Sequence, residues 1–188
     1  ETGALLLLAA NSNSCPVGSV FFDGKINFSC MPKNSLDQTM LILSKFANRE
    51  EKVSTGSALA SAIKGAEQIL KNRSMIFILS DFRCPDYQDN LARLAQKHDV
   101  VAIRFTDAND FELPDFGMVK VHDPETNHSK IFPTFSNSFK RSWRENSNNL
   151  LERWKYMCKK NGVIPLTIST ADDPALRLSR FFAVKEVK

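Results

Sequence analysis

The sequence predicts an α/β fold: a doubly wound, mostly parallel sheet with helices on both faces and an antiparallel hairpin at its edge. Three observations carry that expectation. Ser74 leads into five continuous apolar residues, Met75 to Leu79, which stop abruptly at Ser80-Asp81-Phe82. Such a run reads as a strand buried on both faces. A second core strand, Asp99 to Phe105, follows one helical segment later, and amphipathic helical stretches alternate with the strands along the chain. That alternation is the pattern of parallel βαβ units.

Each element has its own local cause. Glu1 to Ala10 reads as a helix, ended by the polar turn Asn11 to Pro16. Val17 to Phe22 is a strand, and Asp23-Gly24 turns it back into Lys25 to Ser29 as a hairpin. Ser35 has the side chain to cap a helix carrying Met40, Leu41, Leu43 and Phe46. Ser57 to Leu70 is a further helix, with Leu59, Ile63, Ala66 and Leu70 at helical spacing. Tyr87 to Lys97 is helical between the two core strands. Gly117 to Asp123 alternates apolar and polar residues, which suits a half-exposed strand nearer the sheet edge. Turn chemistry at Asp123 to Asn127 then returns it antiparallel through Ser129 to Phe135. Ser136 to Lys160 is a long polar helix, Ile164 to Ile168 a last strand and Pro174 to Phe182 a last helix.

The 188 residues suffice for one domain with a full core, and a net charge of +4 allows an acidic partner without demanding one. No segment approaches the roughly 20 apolar residues of a membrane helix, and Ala4 to Ala10 lacks the basic leading region of a secretory signal. Cys15, Cys30, Cys84 and Cys158 are far apart and form no C-x-x-C pair, which argues against a thiolate zinc site. They read as free, buried thiols of a reducing compartment, hence the cytoplasm.

Asp81 is the strongest single pointer to function. Ligands of open α/β sheets bind beyond the carboxyl ends of the strands, and an aspartate there can hold a hard cation. The same residue type is also an ordinary turn former. Elsewhere, His122, Asp123 and Glu125 cluster near a turn, and Asp107, Asp110 and Glu112 form an acidic loop group. His98, before a core strand, suits packing. The helix from Ser136 to Lys160 mixes Lys140, Arg141, Arg144, Arg153, Lys155, Lys159 and Lys160 with Trp143 and Trp154. Basic and aromatic residues together can bind nucleic acid, but the tryptophans recur near helical spacing, as residues packed on a sheet do. No nucleic acid is therefore expected. Nucleotide-binding glycine loops and G-x-S-x-G are absent from the sequence.

The stretches Val17 to Phe22, Gly56 to Ile63, Arg73 to Phe82, Lys97 to Ile103, Glu112 to Gly117 and Asp123 to Thr126 share one order with a known family. In that order they resemble a von Willebrand factor A-type domain. More narrowly, they resemble the bacterial group of uncharacterised proteins associated with MoxR-type AAA ATPases. The resemblance implies a divalent cation, Mg2+, at the top of the sheet. Its ligands would come from a D-x-S-x-S loop after the first strand, a threonine before the second long helix and an aspartate after the fourth strand. Asp81 matches the third position. Ser57 falls on the second, with Thr55 as a substitute two residues earlier; a helix cap explains Ser57 equally well.

The first position is missing: Ala10 to Ser14 has the serine spacing with alanine where the aspartate belongs. Glu1 to Ala10 then aligns with the end of the first helix. The chain is accordingly expected to be a single domain of this type over residues 1–188, truncated before its central first strand. Two further expectations follow. The metal-ion-dependent adhesion site is degenerate, and the chain alone binds no Mg2+. The strands either side of the absent one close up, or another segment or chain, a dimer partner included, fills the gap. The resemblance implies a non-enzymatic adaptor that binds a protein, an AAA ATPase of the MoxR type, during complex assembly. Two other readings stand beside it: a metal-assisted phosphoryl or ester hydrolase built from Asp81, Asp123 and Glu125, and nucleic-acid binding by the basic helix.

Overall fold

In the computed structural model, which describes residues 1–48, 58–122 and 129–186, the chain begins with α1 (Thr2–Ser12) and a hairpin, β1 (Val17–Phe22) and β2 (Ile26–Lys33). Next come α2 (Leu36–Ala47), α3 (Leu59–Ile69), β3 (Met75–Ser80), α4 (Gln88–Lys97) and β4 (Asp99–Thr106). A short turn of helix at Ala108–Asp110 precedes a second hairpin, β5 (Met118–His122) and β6 (Ser129–Pro133). The chain ends with α5 (Asn137–Lys160), β7 (Ile164–Ser169) and α6 (Pro174–Glu186).

The sheet that organises the molecule is parallel, in the order β3-β4-β7. Ile78 pairs with Ala102 and Ile103 with Leu166, so equivalent positions on the three strands share a face. Alternation along β4 then makes two cores. Val100 and Ala102 join Ile78 under α3, α4 and α5, where Leu59, Leu91, Leu94, Trp154 and Cys158 are buried. Val101 and Ile103 join Ile168 on the other face, against Leu5 and Leu6 of α1 and Leu178 and Phe182 of α6. Helices therefore cover both faces, as the alternation of strands and helices predicts. Leu91 and Leu94 are wholly buried, and removal of each such side chain from water contributes about 1.5–3 kcal/mol. The same helix carries Asp89 in its first turn and Lys97 in its last, the polarity its dipole favours.

Three details differ from expectation, and of the two outcomes expected at the absent strand the closing-up of its neighbours is not seen among the described residues. β3 lies at the edge of the sheet, with Ile78 its one buried residue and Met75 50% exposed. An unbroken apolar run reports that helices cover both faces; it says nothing about whether both backbone edges are paired. Among the described residues the β1–β2 hairpin has not closed up on β3, and the two form separate sheets. The Ser74 carbonyl accepts from the Asp99 amide (3.0 Å), so alternation turns the backbone groups of Met75, Phe77 and Leu79 to the open side. Hairpin β5–β6 is likewise its own sheet and not an edge of the parallel one. Finally, Ser35 precedes α2 but makes no side-chain cap; its carbonyl accepts from the Thr39 amide and hydroxyl at 3.1 and 3.2 Å.

Gly18 has a structural reason. The β1–β2 register slips beside it, and a Cβ there would meet the Cys30 carbonyl oxygen at 2.7 Å. Any side chain would force the hairpin apart.

All four cysteines are free thiols, but only Cys158 is buried; Cys15 is exposed. Burial pushes the Cys158 thiol up to about 12. Because the thiolate is the reactive form, a thiol-modifying reagent at pH 8 is expected to label Cys15 quickly and Cys158 only after unfolding. Mass spectrometry of the labelled native protein checks this, and early labelling of Cys158 would contradict its placement on the buried face of the helix α5.

Candidate functional site at the carboxyl end of the parallel sheet

The loops that leave β3, β4 and β7 are laced together by polar side chains. After β4, the Asp107 carboxylate accepts from the Asn109 amide (2.9 Å), and the Asp110 carboxylate accepts from the Asp107 amide (2.9 Å). These reciprocal bonds form a capping box. The Thr170 hydroxyl, just past β7, donates to Asp107 at 2.8 Å. The Asn109 amide and the Thr170 hydroxyl together hold the Asp107 carboxyl below its ordinary value. On the other side, Asp110 forms an ion pair with Arg83 in the loop after β3. The acidic loop group expected from the sequence is thus a set of ties between loops, and its remaining member, Glu112, pairs with Arg144 of α5.

Asp81 stands where the sequence predicts, exposed and immediately beyond the last residue of β3. Its Oδ1 accepts the Arg83 amide at 3.2 Å, and Ser80 Oγ accepts the Phe82 amide at 3.1 Å. Both bonds skip one residue, the geometry with which short polar side chains build turns. They hold Phe82 in the left-handed region, at φ 53°. For a residue with a bulky side chain this conformation costs about 1–2 kcal/mol. The ring repays it by burial: Phe82 is 5% exposed, its centroid 5.2 Å from Trp154 and 5.6 Å from Tyr87. Asp81 therefore faces solvent because the next side chain is anchored in the core.

Arg104 is the residue that sequence reasoning missed. It sits near the carboxyl end of the central strand, level with Ser80 on β3 and Thr167 on β7. Its guanidinium lies over the Trp154 ring, 5.5 Å from the centroid. Among the described residues, Nε is buried without a hydrogen-bond partner, and so is the Thr167 hydroxyl beside it. Burial, and then the charge of Arg83, hold the guanidinium below its ordinary value; Tyr87, Asp81 and Asp110 act the other way. The available signal was one charged residue inside the otherwise apolar segment Val100 to Phe105.

The other sequence-derived candidates are dispersed. Ser57 and Thr55 lie outside the described residues, as do Asp123, Glu125 and His128. Among the described residues no group of three or more His, Cys, Asp and Glu side chains is placed to hold a metal ion. In the described part of the site Asp107 and Asp110 are tied up by Asn109, Thr170 and Arg83, which leaves Asp81, with the Arg104 cation near it. That arrangement does not fit the several oxygen ligands that Mg2+ requires. His98 is buried and its Nδ1 accepts the Ser74 amide at 3.3 Å, a packing role between the starts of β3 and β4. In α5, Trp154 is buried, and Trp143 packs on Phe132 and Phe139 with centroids 5.9 and 6.3 Å apart. Trp154 is thereby closed to a base, and Trp143 is half-buried against the two phenylalanines.

Fold and site together define an α/β protein in which a parallel sheet flanked by helices presents laced polar loops at its carboxyl end. The chain belongs to the DUF58 family, described as proteins of unknown function, whose model matches residues 1–151. It is similar to the uncharacterized protein MAV169 of Mycobacterium avium, 40% identical over 75 residues, 39% of this chain and 44% of that one. It is also similar to the uncharacterized proteins Mb1516 of Mycobacterium bovis and Rv1480 of Mycobacterium tuberculosis. Each is 35% identical over 88 residues, 45% of this chain and 28% of the relative. The chain spans less than half the length of these relatives. No solved structure matches it. No helix among the described residues is long and apolar enough to cross a membrane.

Proposed function

We propose that this chain is a non-enzymatic, von Willebrand A-like binding domain that uses the carboxyl end of its parallel sheet to engage a protein, in the cytoplasm. The observation that carries this reading is Asp81. It is an exposed carboxylate raised on a turn whose neighbouring side chain is locked into the core, so its position is set before any partner arrives. A rigid polar rim laced by Thr170, Asp107, Asp110 and Arg83 surrounds it, which suits recognition of a surface. The sequence resemblance points to an AAA ATPase of the MoxR type as the partner. Among the described residues one side of β3 is unpaired, and an extended segment of a partner or of a second copy can add there as a strand.

Mg2+ belongs to this reading only in a longer parent protein, where further ligands would join Asp81, Ser57 and Thr55. For the 188-residue chain, calorimetry with Mg2+ or Mn2+ is expected to give no micromolar binding. Micromolar affinity lost in Asp81→Ala would show that the chain carries a working metal site. The partner is tested by co-elution of the full-length protein with a MoxR-type ATPase of the same organism. Asp81→Ala is expected to weaken that complex about ten-fold, roughly 1.4 kcal/mol. An unchanged complex would remove Asp81 from the interface. The hydrolase reading needs Asp123 and Glu125 beside Asp81, and nothing among the described residues favours it.

A further inference from the structure

We infer that Arg104 is the receiving group of an oxyanion site, and that its occupant is a carboxylate from an acidic side chain of the protein partner. The starting point is an imbalance. Arg104 is only half-buried, but its Nε is shut off from water, and a charge drawn even partly out of water gains from a carboxylate. No salt bridge reaches Arg104 among the described residues. Of the two nearby acids, Asp110 is paired with Arg83, and Asp81 accepts the Arg83 amide through Oδ1 and forms no ion pair with Arg104 among the described residues. Arg104 Nε is buried and unpartnered among the described residues, and on the next strand, in register and on the same face, the Thr167 hydroxyl is buried and unpartnered too.

Two adjacent orphan donors of this kind are what a single oxyanion would satisfy. The Trp154 ring lies under the guanidinium, its centroid 5.5 Å from Cζ, and restricts the positions the fork can take. A planar, two-oxygen acceptor matches that fork in a bidentate manner. With Asp107 counted alongside Asp81 and Asp110, two arginines face three aspartates, a net charge of −1, so the site does not draw anions from a distance and holds its anion by direct hydrogen bonds. The place is the carboxyl end of β4, the end at which open α/β sheets take ligands. That the carboxylate comes from a protein rests on the protein-binding reading above; the oxyanion site itself does not.

The test uses the 188-residue chain and sodium acetate as the probe, at constant ionic strength against sodium chloride. Arginine Nε–H and tryptophan indole resonances are followed by NMR. Acetate is expected to shift the Arg104 Nε–H and Trp154 signals to saturation, with a Kd on the order of 1–10 mM. Arg104→Met, which keeps an apolar stem against Trp154, is expected to abolish saturation. Thr167→Val is expected to weaken it several-fold. Shifts that stay linear, or that chloride reproduces, overturn the site, and this holds even if Arg104→Met does not fold. Inorganic phosphate is run in parallel: binding of phosphate at least ten-fold tighter than acetate would overturn the carboxylate assignment. Saturation by acetate with no loss of the ATPase complex in full-length Arg104→Met would overturn the partner assignment while leaving the site intact.

Discussion

Replacement of Trp154 by alanine is expected to destabilise the chain by about 3–5 kcal/mol, the range for deleting a large buried aromatic side chain. Trp154 is 5% exposed and belongs to the core formed by Leu59, Leu91, Leu94, Ala102 and Cys158. It also touches both halves of the candidate site, with Phe82 at 5.2 Å and the Arg104 guanidinium at 5.5 Å. Its loss leaves a cavity under the sheet end and removes the surface on which the guanidinium rests. Urea unfolding measures the effect. Trp154→Phe, which retains a ring, is expected to recover more than half of it. A loss below about 1 kcal/mol in the alanine variant would show that α5 is not packed as described.

The second large effect is at Phe82, where side chain and backbone oppose each other. Phe82→Ala is expected to cost about 3–5 kcal/mol through loss of the buried ring. Phe82→Gly loses the same ring, but glycine adopts φ 53° without strain. The glycine variant is therefore expected to be more stable than the alanine variant by about 1 kcal/mol. In an ordinary loop the order would be reversed, because glycine gains more freedom on unfolding. Thermal or urea midpoints of the two variants decide it, and alanine as the more stable substitution would rule out the left-handed turn. Either variant also releases the loop that positions Asp81, so partner binding is expected to fall with stability.

Much of the fold is legible in the amino-acid sequence because it depends on short-range pattern. The strand Val17–Phe22 falls where its apolar residues and the Asp23-Gly24 turn place it. The parallel pair β3–β4 follows from two apolar runs separated by one helix. The placement of Asp81 is legible for the same reason: a run of apolar residues ends, and a polar residue follows. Less can be read at the open edge of β3. Met75 to Leu79 is apolar because α3, α4 and α5 cover one face and α1 and α6 the other. Side chains report faces, whereas strand pairing is made by backbone groups common to every residue.

The site itself divides along the same line. Composition and periodicity establish that this protein is an α/β sheet wrapped by helices, with a carboxylate at the mouth of a core strand. They mark Asp107 and Asp110 as loop residues but cannot say that Thr170, 63 positions from Asp107, ties to it. The meeting of Arg104, Thr167 and Trp154 on one face of the sheet is a product of tertiary packing alone. Register between strands and the packing of α5 against them bring those residues together, and such contacts depend on closure of long loops that no local window of sequence contains.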